Sequence, residues 1–288
     1  MEKPFFWTQE FLDLQDSKFN ITQVKLNASS NSVFFPNKVR EESLKSPGVG
    51  TFGGIYPDQI PVDWSKTWNC LLRKFHGIRK IEIIFPPEFF LPQVFLEQQK
   101  HFIDEFQPKN FWDLNHHVPL VGDAVDLLSK GNRKKFRQFI EASGTSRVGT
   151  EEDFLRAIII LQKSRERLGV QLSMNRNQLG KAFLNCPDRY TLYVAEVANE
   201  LVASAVVVKI DSENAYVLYW GDDAENWRHL SPIVALFVSI FENSQRLGFK
   251  VLDLGTSSVS GNTNEGLAKF KENLGALKSR KLNSVYHF

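Results

Sequence analysis

The chain has 288 residues, 42% of them hydrophobic, and sets 35 Lys and Arg against 33 Asp and Glu for a formal net charge of +2. That length and apolar content supply a sizeable core and exclude a disordered chain, while the near balance of charge gives no case for general nucleic-acid binding. The N-terminal MEKPFFWTQEF lacks the apolar run of a secretory signal, and the longest apolar stretches, such as AIIIL and LVASAVVV, fall far short of the roughly 18 residues of a membrane span. The chain therefore reads as soluble and cytoplasmic.

The first half carries a predicted strand at TFGGIYP and then a helix at DWSKTWNCLLRKFHG, with Trp64, Trp68, Leu71, Leu72 and Phe75 on its apolar face and Gly77 at its far end. A strand at IRKIEIIFPP, a helix at QVFLEQQKHFIDEF and an extended piece at FWDLNHHVPL follow. His116 and His117 are adjacent, so on a strand they point to opposite faces and form no metal pair; no metal site is predicted. Cys70 and Cys186 match no disulfide or metal spacing and read as buried thiols in a reducing compartment.

The second half opens with a basic helix, SKGNRKKFRQFIEA, whose Lys130, Arg133, Lys134, Lys135 and Arg137 read first as a solvated face and only second as a nucleic-acid contact. A short strand at TSRVGT and helices at EEDFLRAIIILQKSRERLG and NRNQLGKAFLNC come next, then a meander of YTLYVAEV, LVASAVVVKI and NAYVLYWGD. The helix SPIVALFVSIFENSQRLG has Ser231 at its N-cap, Pro232 at its first position and Gly248 past its end. Ile233, Leu236, Phe237, Ile240, Ser244 and Leu247 form one face. The strand FKVLDLG, the loop SSVSGNTN, a short helix EGLAKFKENLG and an extended SVYHF complete the chain. Strand, helix, strand recurs in both halves, which predicts a mixed α/β fold of two tandem units, residues 1–125 and 126–288, the first less complete.

This order of elements resembles the GNAT acyltransferase superfamily, and WRHLSPIVALFVSIFENSQRLGFKVLDLGTSS with NEGLAKFKENLGA resembles its FemAB-like branch, whose members carry two GNAT-like units. The shared features are a Ser-Pro entry to the central helix, an Asp-x-Gly strand end and a Gly-Leu-x-x-Phe-Lys-x-x-x-Gly helix; SPGVGTFGGIYP extends the likeness faintly into the first half. The resemblance implies transfer of an acyl or aminoacyl group onto an amine of a small molecule, glycan or peptide in cell-envelope or polysaccharide metabolism. It implies no tightly bound cofactor, with acyl-CoA or an aminoacyl-tRNA as donor. Ordinary GNAT enzymes seat the pyrophosphate of acetyl-CoA on a glycine loop at the central helix's N-terminus. Here that segment is NWRHLSP, without glycine, and no long heptad arm for tRNA is present, so the donor stays open between the two.

The same resemblance singles out Phe270 and Lys271, the lysine bordering the stripe of Leu267, Phe270 and Leu274 while Lys269 faces away. In the cleft a lysine steadies negative charge developing on the acyl oxygen; the competing reading is a snorkelling stem over apolar surface. Asp253, on an otherwise apolar strand, is a candidate proton acceptor or a cap of the following turn. Trp220 and Gly221 are candidates for shaping the acyl slot, with core packing as the alternative for Trp220. Arg228, beside His229, faces either a donor phosphate or solvent. Ser257 and Ser258 open a loop expected to wall the cleft and touch donor or substrate. No Ser-His-Asp or Cys-His arrangement is legible, and direct attack by an amine needs no enzyme nucleophile. A GNAT-fold binding module without catalysis is the alternative, favoured by the missing glycine loop.

Overall fold

The structure is a computed structural model describing residues 2–15, 20–25, 32–57, 62–90 and 93–288. The chain divides into two compact units, one of residues 1–115, 256–264 and 279–288, the other of residues 116–255 and 265–278.

In the first unit, α1 (Gln9–Asp13) is capped by Thr8, whose hydroxyl accepts the Phe11 N–H at 3.2 Å. β1 (Asn20–Lys25), β2 (Ser32–Arg40) and β3 (Ser43–Ser46) form an antiparallel meander that the sequence pattern does not announce. β4 is only Tyr56–Pro57. The strand expected over TFGGIYP is otherwise a tight loop, because Gly54 adopts φ +99° and a Cβ on Gly53 would lie 2.3 Å from the Ser46 hydroxyl. α2 (Trp64–Lys74) starts at Asp63, whose carboxylate accepts the Lys66 N–H at 2.9 Å; it buries Trp64, Trp68 and Leu71 as the spacing predicts. Cys70, on its flank, is half-buried rather than buried, while Cys186 is buried; both are free thiols. β5 (Lys80–Pro87), α3 (Gln93–Phe106) and β6 (Lys109–Pro119) follow.

The second unit begins within β6 and adds α4 (Ala124–Leu127), α5 (Lys130–Glu141), β7 (Thr145–Val148), α6 (Phe154–Arg167) and α7 (Arg176–Asn185). The meander β8 (Tyr190–Val197), β9 (Glu200–Lys209) and β10 (Asn214–Asp222) leads to α8 (Ala224–Trp227), α9 (Pro232–Arg246) and β11 (Val251–Thr256). The strand order is β7-β8-β9-β10-β11, antiparallel except for the parallel pair β10 and β11. α6 packs on one face, where the Ser204 hydroxyl of β9 donates to the Ala157 carbonyl at 2.8 Å. α9 packs on the other, against Ala203, Ala205 and Val207.

α9 is buried nearly all round, Val234, Ala235, Val238 and Phe241 included, because α4 and α5 cover the side away from the sheet. Leu247, expected on the buried face, is 60% exposed past the helix end. Pro232 stands at the first position as expected. Ser231 makes no side-chain cap: its backbone is left-handed at φ +48°, and its hydroxyl accepts from the Lys135 ammonium at 2.8 Å.

β12 (Ser258–Val259) and β13 (Asn262–Thr263) form a hairpin in the first unit, and α10 (Glu265–Glu272) belongs to the second. β14 (Leu277–His287) then returns to the first unit, whose strand order is β1-β2-β3-β5-β14-β6. The units thus differ from the sequence division of 1–125 and 126–288. β14 completes the first half's sheet, pairing antiparallel with β5 from Lys281 opposite Pro87 to His287 opposite Lys80. β6 also ends beyond residue 115, and the Leu120 N–H donates to the Lys250 carbonyl at 2.8 Å in the second unit.

Candidate active site

In the second unit β10 and β11 pair only from Asn214 opposite Val251 to Tyr216 opposite Asp253. Beyond that, β10 bulges between Val217 and Tyr219 against β9. A bulge adds one residue to one strand, so the alternation of side chains shifts by one. Tyr216 and Tyr219 therefore share the face toward α6, and Val217 and Trp220 share the face toward α9. Gly221, back on the α6 side, admits close packing of that helix, since a Cβ there would sit 2.6 Å from the Cβ of Ser164.

Asp253 is 6% exposed, the one acidic residue in the apolar run Val251–Leu254. Its carboxylate accepts the Gly255 N–H at 2.8 Å, so the turn-capping reading describes a bond it makes. Gly255 has φ +75°, and the Tyr216 hydroxyl lies 3.3 Å from where its Cβ would be, which closes this position to larger residues. Lys271 on α10 is 2% exposed, far deeper than a stripe-border residue needs to be, and its ammonium donates to the Gly255 carbonyl at 2.9 Å. Burial lowers its pKa from 10.5 to about 8; the negative charge of Asp253 resists that shift and the positive charge of Arg165 adds to it. Lys269, as expected, faces away, 3.8 Å from Glu272. Phe270 meets Trp220 edge to face, with centroids 5.6 Å apart.

Three further groups border this centre. Burial, followed by the charge of Asp253, pushes the Tyr216 phenol upward, so it stays neutral at ordinary pH. Tyr219 shares a 2.5 Å hydrogen bond with the Ser173 hydroxyl and accepts the Met174 N–H at 2.9 Å, tying the α6–α7 connection to the sheet. His116 is fully buried, and desolvation, then the Lys271 charge, lowers its pKa to about 4, so at neutral pH it is uncharged beside a charged Lys271. A largely water-excluded ammonium, a carboxylate and a neutral phenol thus meet at the end of a strand pair, an arrangement able to stabilise an oxyanion and take up a proton.

Of the residues anticipated from sequence, the structure gathers Asp253 and Lys271 around Gly255 and joins Trp220 to Phe270. Arg228 is exposed in the single turn Arg228–Leu230. Ser257 and Ser258 lie in the first unit: the Ser257 N–H donates to the Leu114 carbonyl at 2.7 Å, and the Ser258 hydroxyl donates to Asp113 at 2.8 Å. Arg165, Tyr216, Tyr219 and His116 were not anticipated. Arg165 had a legible signal, a cation four residues after Leu161 and seven after Ile158, both fully buried. The tyrosines had none, because a bulge is not visible in the alternation of NAYVLYWGD. Among the described residues no group of His, Cys, Asp or Glu is placed to hold a metal ion, and no helix is long and apolar enough to cross a membrane. A separate concavity of about 590 Å³, lined by Phe154, Phe183, Leu184 and Tyr190, holds none of these side chains.

Residues 130–272 match the family described as acetyltransferase (GNAT) domain. Among solved structures, FemX is similar with a TM-score of 0.70 at 13% identity, over 99% of this chain and 92% of that one. L-PGS from Bacillus licheniformis gives 0.62 at 14%, over 94% and 84%. A tandem GNAT protein from the clavulanic acid biosynthesis pathway gives 0.52 at 9%, over 96% and 86%. No curated protein matches the sequence. Residues 130–272 thus match a GNAT acetyltransferase domain model, and the fold, with its mixed sheet, is similar to those of FemX and of a tandem GNAT protein.

Proposed function

We propose that this GNAT domain is the catalytic half of a tandem, FemAB-like acyltransferase that moves an acyl or aminoacyl group from an activated donor to an amine in cell-envelope or polysaccharide metabolism. The observation that carries this reading is Lys271, an ammonium held 2% exposed on the Gly255 carbonyl beside Asp253. The donor carbonyl enters where β10 and β11 cease to pair. The acceptor nitrogen attacks its carbon, the Lys271 ammonium stabilises the oxyanion, and the nitrogen's proton passes to Asp253 directly or through water. Collapse forms the amide and breaks the C–S bond of a thioester or the C–O bond of an ester, and the leaving sulfur or oxygen takes up a proton. Trp220 and Phe270 line the acyl slot. The similarity to FemX and L-PGS supports the envelope setting.

Calorimetric titration with CoA and a short acyl-CoA, alongside transfer assays with acyl-CoA and aminoacyl-tRNA, identifies the donor. With that donor, Lys271→Met is expected to lower kcat by about 10²–10³, the usual cost of losing one oxyanion donor, with little change in KM. An unchanged kcat removes Lys271 from the mechanism.

A further inference from the structure

The arginines of α6 are not alike. Arg156 pairs with Asp153 at 3.3 Å, and Arg167 pairs with Asp222 at 3.0 Å. Arg165 lies between them, half-buried, and among the described residues it has neither a hydrogen-bond acceptor nor a carboxylate partner; its Nε is buried without one. Its guanidinium lies over the Tyr219 ring, 5.6 Å from the centroid. It is also close enough to Lys271 and Tyr216 for its charge to depress the pKa of each. Two cations, the buried Lys271 and the half-buried Arg165, therefore lie near one buried carboxylate, Asp253. A guanidinium whose buried Nε has no acceptor is costly, and a second cation beside it adds repulsion that the ring face offsets only in part. A fixed fork of N–H donors with no acceptor from the protein is suited to a planar carboxylate or a phosphate oxygen pair.

We infer that Arg165 is the anion-binding side chain of this cleft, receiving a carboxylate or phosphate group of a substrate, with Tyr219 as the residue that positions it. This rests on the acyl-transfer reading and deepens it, since the bound anion orients one substrate relative to Lys271. The group belongs either to a phosphate-bearing donor or to a carboxylate-bearing reactant; the chemistry that recognises it is the same.

Binding of inorganic pyrophosphate and of succinate to the full chain, followed by calorimetry and by the NMR shifts of labelled lysines, tests the inference without turnover. Wild-type protein is expected to bind at least one of the two saturably. Preference for pyrophosphate assigns the subsite to a phosphate-bearing substrate, and preference for succinate assigns it to a carboxylate. Arg165→Met should weaken that binding about tenfold or more, Arg165→Lys should recover part of it, and Lys163→Met, at an exposed position of the same helix, should leave it unchanged. Without any anion, Arg165→Met should raise the Lys271 pKa from its value of about 8 by removing a repelling charge, which a purely structural arginine elsewhere would not do. The inference is overturned if folded wild-type protein binds neither anion, if Arg165→Met binds as wild type does, or if the Lys271 pKa does not move. Loss of binding in Arg165→Met together with full transfer activity in Lys271→Met would instead reject the proposed mechanism and leave the subsite standing.

Discussion

Lys271 places two opposite pH dependences on one atom. Its ammonium titrates near 8 in the folded protein and near 10.5 when exposed. Between those values the unfolded chain binds the extra proton, so stability rises as pH rises through that window, by at most about 3 kcal/mol at 1.36 kcal/mol per pKa unit. If the charged amine serves the oxyanion, activity falls over the lower part of the same window. Denaturant unfolding of wild type and Lys271→Met at pH 7 and pH 10 checks the first half: the gain in the wild type should vanish in the variant, and a gain of equal size in both would place the titration elsewhere. His116 acts on the acid side. Its folded pKa of about 4, against 6.5 when exposed, means that its stabilising contribution is lost as pH falls from about 6.5 through 4.

At the scale of elements, the site depends on how closely α6 lies on β10. Gly221 permits that approach, and the helix in turn carries Arg165 over the Tyr219 ring. Gly221→Ala is expected to destabilise by about 1–3 kcal/mol through overpacking on Ser164, and the double variant Gly221→Ala with Ser164→Gly to recover much of the loss. Denaturant midpoints of the single and double variants give the coupling, and additive losses would show that the two residues do not share the space. The helices and the β8–β10 meander were legible because apolar spacing and turn residues mark them in the sequence, as Pro232 and Gly248 mark the ends of α9. Lys271 is singled out in the sequence by its place beside Phe270, but its depth is not legible there, since burial of an ammonium depends on Gly255 and Asp253 from another strand. The Phe-Gly-Gly segment misled for a related reason: strand-like composition lost to the backbone that Gly54 adopts against its neighbours. Ser257 and Ser258, expected to wall the cleft, bond to β6 through the Ser257 N–H and the Ser258 hydroxyl, a pairing that the sequence of the loop does not reveal.

For the whole molecule, sequence order and spatial order part company at β14. The element looks like the last strand of the second half, but its long register with β5 makes it an inner strand of the first unit. An inner strand supplies hydrogen bonds on both edges, so its removal opens two ladders at once. A chain ending at Lys278 is expected to lose amide protection in β5 and in residues 109–115, while β8, β9 and β10 keep theirs. Hydrogen exchange resolved by segment reads this, and uniform loss across both units would mean that they unfold together.

The placement of β14 also sets a timetable for synthesis. Translation makes the first unit's opening strands early, yet their sheet stays open between β5 and β6 until residues 279–287 have cleared the ribosome. The first unit to be made is therefore the last to close, and through most of translation it presents apolar strand edges that a chaperone, or another nascent chain, is free to meet.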